Sequence, residues 1–185
     1  MLNQSQTWGQ AEALWAKSLN GRGRLFLNAG LFQLGWFACV VGGNSPWLVL
    51  AGGALMAHLL WISRSMAEVR LIVVVCLLGT AVDSLLLNAG VFVFKQPGLL
   101  IPFWLILLWA LLAITLNHCL AWTAKPWWRA VLLGAIGGPL SYYAGQRLGA
   151  VQFPLGLWPT LAGLSLLWAG LFALLITCSR CRRLR

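Results

Sequence analysis

The sequence predicts an all-α integral membrane protein, a polytopic bundle of about six transmembrane helices with both termini in the cytoplasm. Hydrophobic residues make up 61% of the 185 residues, and charged residues only 9%. A soluble domain of this size carries about 25% charged residues, so a water-soluble globule is excluded. The apolar residues fall into long runs, and the positive charges are concentrated in every second connection between these runs.

Six apolar runs approach the ~20 residues that a membrane-spanning helix needs. Pro46 opens the second run, where proline suits the start of a helix, and Lys95-Gln96-Pro97-Gly98 closes the third. The first, second and fifth runs are short, so tilt or local thinning of the bilayer must make up their length. In chain order the runs are 25–41, 46–62, 70–94, 100–123, 129–143 and 157–178.

The lysines and arginines indicate the orientation of these runs. Lys95 and Arg147 fall in outer connections, whereas the other positive residues precede the first run, join the second to the third and the fourth to the fifth, or follow the sixth. The positive-inside rule therefore places both termini in the cytoplasm. We expect a polar cytoplasmic segment at 1–24, one six-helix domain at 25–178 and a basic tail at 179–185.

The N-terminal segment places Trp8, Ala11, Trp15 and Leu19 at helical spacing. This pattern predicts either a short helix in the membrane interface or a frayed tail. The net charge of +10 is accounted for by topology signals, so no nucleic-acid partner is expected. The expected partners are the lipid bilayer, a lipid or apolar small-molecule ligand, and a second copy or another membrane subunit.

The five cysteines do not predict a metal or disulfide framework. Cys39, Cys76 and Cys119 lie in apolar runs, where they are small buried hydrophobes. Cys178 and Cys181 form a C-x-x-C pair in the tail, but a zinc site needs about four ligands and the tail offers no other. No nucleotide, metalloprotease or serine-hydrolase motif occurs. We therefore predict no cofactor, and the sequence leaves open whether the protein is an enzyme.

Asp83 is the acid expected deepest in the hydrocarbon, about 20 Å from the inner end of the third run at ~1.5 Å per residue. A charged group there is costly without partners, so Asp83 is the candidate catalytic residue, as a proton donor or acceptor. Gln33 and Tyr142 lie at a similar depth and can donate hydrogen bonds to it. The candidate ligand-binding residues are Gln33, Trp36, Asn88, Trp109, Ser141 and Tyr142.

The mid-span tryptophans Trp36, Trp109 and Trp168 allow two interpretations. They are either buried packing residues or an aromatic wall for a lipid tail. In the fifth run, Gly134 and Gly138 form a G-x-x-x-G motif that permits close helix approach, and Pro139 is expected to kink that helix.

A second polar layer is expected about 5–8 Å from the inner boundary, with Glu68 and Arg64 in the adjoining loop. His58 and His118 could bind a metal or carry a proton, or the layer could hold helices together by hydrogen bonds. Two histidines do not define a metal site, and no motif spacing fixes Glu68 beside them, so no metal is predicted. The layer consists of Asn28, His58, Asn117 and His118.

Four segments of the chain carry a resemblance. They are Asn28-Ala-Gly-Leu-Phe-Gln33-Leu-Gly-Trp36-Phe37, Gly79-Thr-Ala-Val-Asp83-Ser84, Pro102-Phe-Trp104 with Trp109, and Gly137-Gly-Pro139-Leu-Ser-Tyr142-Tyr-Ala-Gly145. In this order they resemble a family of small bacterial inner-membrane proteins catalogued as a domain of unknown function. The resemblance runs from about Asn28 to Phe153 and implies a multi-pass protein of the bacterial cytoplasmic membrane. It implies no activity and no catalytic residue.

Three functions are compatible with these features. The first is an enzyme or binding protein for a lipid or other apolar small molecule within the bilayer. The second is a small transporter, or the substrate-binding membrane subunit of one. The third is a structural or accessory membrane subunit, in which the polar residues only stabilise helix packing.

Overall fold

The computed structural model describes residues 21–181, with the side chain of Cys181 left out. The interfacial helix expected at Trp8–Leu19 and the last residues of the basic tail lie outside the described residues.

Six α-helices and no β-strand make up the described part of the chain, which confirms the predicted all-α class and the number of helices. A π-helical turn, His58–Ile62, continues α2, and a short 3₁₀ helix, Ala121–Ala124, follows α4. The helices are α1 Gly21–Gly42, α2 Leu48–Ala57, α3 Met66–Asn88, α4 Phe103–Leu116, α5 Trp128–Arg147 and α6 Leu157–Cys181.

Within residues 21–181, three helices are long and apolar enough to cross a membrane: α1, α3 and α6. The second helix with its π turn and α4 are apolar but shorter. Because apolar side chains such as Phe26, Leu77 and Leu166 stay exposed on these helices, their outer surface is suited to lipid rather than to water. The fold is that of a helical membrane protein.

The third helix begins and ends earlier than the predicted run 70–94. Ser65 caps its N-terminus by accepting a hydrogen bond from the backbone N–H of Ala67 (3.2 Å), so the helix starts at Met66 and includes Glu68. At the other end, Gly90 has φ +74°, a conformation that glycine adopts readily at a helix C-terminus. The segment after Gly90 therefore leaves the helix.

The fourth helix is shorter than the predicted run 100–123, because a side chain of α1 satisfies the backbone at its end. Asn28 donates a hydrogen bond to the carbonyl of Ile114 (3.0 Å) and accepts one from the backbone N–H of Cys119 (3.2 Å). Helix termini leave such backbone groups without partners, so Asn28 allows α4 to end at Leu116. The connection that follows brings His118 next to α2 and α3.

The helices divide into two groups. The first four helices pack together, with α1 and α3 both against α4, while α5 and α6 pack along each other. A Cβ at Gly134 would overlap the backbone carbonyl of Trp168, and one at Gly138 would overlap its ring. The predicted G-x-x-x-G motif therefore does bring two helices into close approach. The fifth helix continues through Pro139 to Arg147, beyond the predicted end at residue 143.

The two groups meet through an aromatic cluster and through the connections that follow α3 and α5. In those connections Val93 and Gln152 exchange two backbone hydrogen bonds of 3.0 and 2.8 Å. Phe92, beside this bridge, is fully buried and stacks on Tyr142 of α5 with ring centroids 5.0 Å apart.

Candidate ligand-binding site

Asp83 is buried, with 1% of its surface exposed, and both of its carboxylate oxygens accept hydrogen bonds. The indole N–H of Trp109 on α4 donates to Oδ2 (2.8 Å), and the hydroxyl of Tyr142 on α5 donates to Oδ1 (2.6 Å). A buried carboxylate needs such donors because burial otherwise penalises it heavily. Asp83 of α3 therefore links the first group, through Trp109 of α4, to the second group, through Tyr142 of α5.

An aromatic stack extends from this carboxylate into the second group. The rings of Trp109 and Trp168 are stacked, 5.2 Å apart with an interplanar angle of 5°, and Tyr142 meets Trp168 edge-on at 6.1 Å. The Trp109 ring lies so close to Gly79 that an added Cβ would overlap the ring. Gly79 is therefore the residue of α3 that makes room for Trp109 beside Asp83.

A cavity of about 820 Å³ lies between α1 and α4 on one side and α5 and α6 on the other. Its volume is within the range of about 300–1,000 Å³ found for small-molecule sites. The lining is mainly apolar, and one hydrogen bond joins its two sides, from the Trp36 indole N–H to the Ser141 hydroxyl (2.8 Å). Prominent lining residues are Phe32, Trp36, Trp104, Leu108, Trp109, Tyr142, Trp168 and Phe172.

Two of the lining residues carry exposed apolar side chains. Phe37 on α1 is 50% exposed and Leu140 on α5 is 57% exposed. In a membrane protein such side chains face lipid tails, so the cavity lies next to the lipid-facing surface of α1 and α5. Arg147, the last residue of α5, also lines the cavity and is exposed. The cavity thus combines an apolar body with a cation at the end of α5.

Small residues of α5 leave the volume that forms the cavity. Gly137, Ser141 and Ala144 all line it, and their spacing of four and three residues places them on one face of a helix. The close approach of α6 at Gly134 and Gly138 uses the neighbouring face. The G-x-x-x-G pair was predicted from the sequence, but this second row of small residues was not, although its helical spacing was a usable signal.

The structure brings most of the candidate ligand-binding residues together. Those that line the cavity are Gln33, Trp36, Trp109, Ser141 and Tyr142. Asn88 is elsewhere: it donates hydrogen bonds to the carbonyls of Ser84 (2.6 Å) and Leu99 (2.9 Å) and organises the connection after α3. Asp83 lies behind the wall formed by Trp109 and Tyr142, so a molecule in the cavity would meet those two side chains rather than the carboxylate.

A second polar cluster gathers around Glu68. Its Oε1 atom lies 3.5 Å from Nε2 of His58 and 3.3 Å from Nε2 of His118. Its other oxygen accepts a hydrogen bond from the hydroxyl of Ser63 (3.4 Å). The rings of the two histidines are 4.8 Å apart and nearly perpendicular. The expectation that Glu68 lies in a loop was wrong: it lies in the first turn of α3, where the helix dipole favours an acid, and it is buried.

Asn28 supports this cluster from α1. Its side-chain nitrogen lies 3.1 Å from Nδ1 of His58, while its two other contacts hold the end of α4. Asn28 and His58 are both fully buried, and His118 is 20% exposed. Asn117, the fourth residue of the predicted layer, is the C-terminal cap of α4. Asn28, His58 and His118 therefore belong to one cluster of contacts, with Glu68 between the two histidines.

The fold and the cavity define a small all-helical membrane protein with an apolar site between two groups of helices. Within that class the chain belongs to the family described as Protein of unknown function (DUF2878), which matches residues 25–174. The resemblance inferred from the sequence motifs is thereby confirmed at the level of the family. No curated protein and no solved structure matches the chain.

Proposed function

We propose that the protein binds a lipid or other apolar small molecule in the cavity between α1/α4 and α5/α6. The observation that carries the proposal is the cavity itself, about 820 Å³ and bounded by aromatic and aliphatic side chains. The proposed route of entry is from the lipid side, beside the exposed side chains of Phe37 and Leu140. Binding buries an acyl chain or a hydrophobic ring against this surface, as in other ligand sites that are preformed and mainly apolar.

The charge at one end of the cavity narrows the class of ligand. Arg147 lines the cavity, and a guanidinium group is suited to carboxylate and phosphate groups. The favoured ligand is therefore an amphiphile with an acidic head at Arg147 and an apolar body beside Trp36, Trp109 and Tyr142. In this function Asp83 is a positioning residue, because its hydrogen bonds fix Trp109 and Tyr142 in the cavity wall.

Native mass spectrometry of the protein released gently from membranes tests the proposal. The wild type is expected to retain an anionic amphiphile of defined mass. In the Gly137→Leu variant this species should be lost, because an added Cβ at Gly137 meets only Leu133, at 3.7 Å, so the leucine fits on the backbone and its outer atoms occupy cavity volume.

A matched control separates this effect from a general effect of glycine replacement. Gly163 on α6 is exposed, has nothing within 4 Å of an added Cβ and does not line the cavity. The Gly163→Leu variant should retain the amphiphile. An apo wild type, or equal retention in both variants, would contradict the proposal and favour a structural or accessory role.

We also propose that the protein is a multi-pass protein of the bacterial cytoplasmic membrane with both termini inside. The distribution of lysine and arginine supports this orientation. A green fluorescent protein fused after Arg185 should fluoresce, and alkaline phosphatase fused after Gln96 should be active outside the membrane. The reverse pattern of the two reporters would contradict the orientation.

A further inference from the structure

Three polar atoms on three different elements converge in the cluster around Glu68 and have no hydrogen-bond partner. They are Nε2 of His58, Oε1 of Glu68 and Nε2 of His118. His58 begins the π-helical turn after α2, Glu68 is in the first turn of α3, and His118 follows α4. A buried polar atom without a partner is costly, and these three ligand-type atoms lie within 4.8 Å of one another.

We infer that His58, Glu68 and His118 form a binding site for a divalent transition-metal ion of the Zn²⁺ class. Two imidazole nitrogens with one carboxylate oxygen are a ligand set that suits Zn²⁺ and its neighbours. Mg²⁺ and Ca²⁺ prefer oxygen ligands alone, so they are disfavoured.

The distances fit such an ion. Metal–ligand distances of about 2.0–2.1 Å in a tetrahedral site place two ligand atoms about 3.4 Å apart. Oε1 of Glu68 lies 3.5 Å from one histidine nitrogen and 3.3 Å from the other. All three atoms lie within 4.8 Å of one another, so the two imidazole rings must turn toward each other for all three spacings to match those of a tetrahedral site.

The surroundings of the ligands agree with this role. The Ser63 hydroxyl binds the second carboxylate oxygen of Glu68, which leaves Oε1 as the metal ligand. His118 is 20% exposed as a side chain, so the cluster lies close to the protein surface. π-Helical turns are frequent at functional sites, and here one carries His58. Three protein ligands leave one coordination position for water or another small ligand.

Asn28 links the ion to the end of α4. With a metal on Nε2, Nδ1 of His58 carries the proton and needs an acceptor. In the structure the Asn28 amide nitrogen faces Nδ1 of His58, so metal binding requires the amide to turn over and present its oxygen, at the cost of its two hydrogen bonds at the end of α4. The same amide contacts Ile114 and Cys119, so metal binding rearranges the contacts at the end of α4.

The test is a titration of the full-length protein in detergent, made without a histidine tag and stripped of metal by a chelator. Added Co²⁺ should bind at one ion per chain and give the visible absorption of a tetrahedral site, and Zn²⁺ should displace it. Loss of a ligand in His118→Ala or Glu68→Gln should weaken binding at least ~10-fold, since even supporting residues of metal sites matter by 10–100-fold.

The C-x-x-C pair supplies the control. The double variant Cys178→Ser/Cys181→Ser should bind Co²⁺ as the wild type does. Circular dichroism shows whether each variant is folded. If Glu68→Gln does not fold, the metal titration of His118→Ala alone tests the site, because His118 is partly exposed and its replacement should disturb the fold less. No stoichiometric binding by the wild type, binding unchanged in His118→Ala, or binding lost with the cysteines would overturn the inference.

Discussion

Replacing Gly79 with alanine is expected to destabilise the protein by about 3 kcal/mol, the upper part of the range for overpacking in a core. The added Cβ would overlap the ring of Trp109. Trp109 has no room to retreat, because its other face is stacked on Trp168 and its N–H is bonded to Asp83. Movement of the ring would break the stack or the hydrogen bond. The measurement is unfolding in mixed detergent micelles followed by circular dichroism.

The same substitution elsewhere provides the comparison. Gly30 on α1 is exposed, and an added Cβ there has nothing within 4 Å. Alanine is favoured over glycine in a helix by up to ~1 kcal/mol, so Gly30→Ala should leave stability unchanged or raise it. Similar behaviour of the two variants would mean that Trp109 is not held against Gly79.

Removal of the Asp83 side chain should be the second large effect. In Asp83→Ala the indole N–H of Trp109 and the hydroxyl of Tyr142 both lose their acceptor. Each buried group left without a partner costs about 1–3 kcal/mol, so a loss of about 2–6 kcal/mol is expected. The same unfolding measurement in mixed micelles gives the value.

The isosteric variant Asp83→Asn should lose much less, about 1 kcal/mol. The asparagine oxygen can accept from Trp109, and its amide can donate to the oxygen of Tyr142, because a phenol both donates and accepts. If Asp83→Ala were as stable as Asp83→Asn, the two hydrogen bonds would not hold the helices together.

Part of the Asp83 site could be predicted from the sequence, by estimating how deep each polar residue lies along its membrane-spanning run. The position of Asp83 along its run and that of Tyr142 along another predict their meeting, and the structure joins them. Gln33 is at a similar depth but is exposed and lines the cavity. Depth gives the level of a residue in a bundle but not the direction it faces. For the same reason the bond from Trp109 to Asp83 was not predicted from the sequence.

The cluster around Glu68 shows a different limit. The two histidines and Asn28 were expected in one layer, but Glu68 was assigned to a loop because the third run was taken to begin at Arg70. The signal was present: Ser65-x-x-Glu68 is the pattern of a helix N-terminus. The four-residue difference decides whether Glu68 is a solvated charge or a buried acid between two imidazoles.

The cavity was outside the reach of sequence reasoning because it depends on what small side chains fail to fill. Gly137, Ser141 and Ala144 are ordinary residues for a membrane helix. Only the placement of α1 across from them, held by the bond between Trp36 and Ser141, turns the row into one side of an open volume. A cavity of this kind depends on how the helices pack together, and no local sequence motif predicts it.

The decisive test of ligand binding in the cavity is a crystal structure of the protein grown in a lipid mesophase, after release with its native lipids. Continuous density is expected for an apolar chain beside Trp36 and Tyr142, ending in an acidic head at Arg147. Contact between α1 and α5 that closes the volume, or a space filled by rearranged side chains, would contradict it.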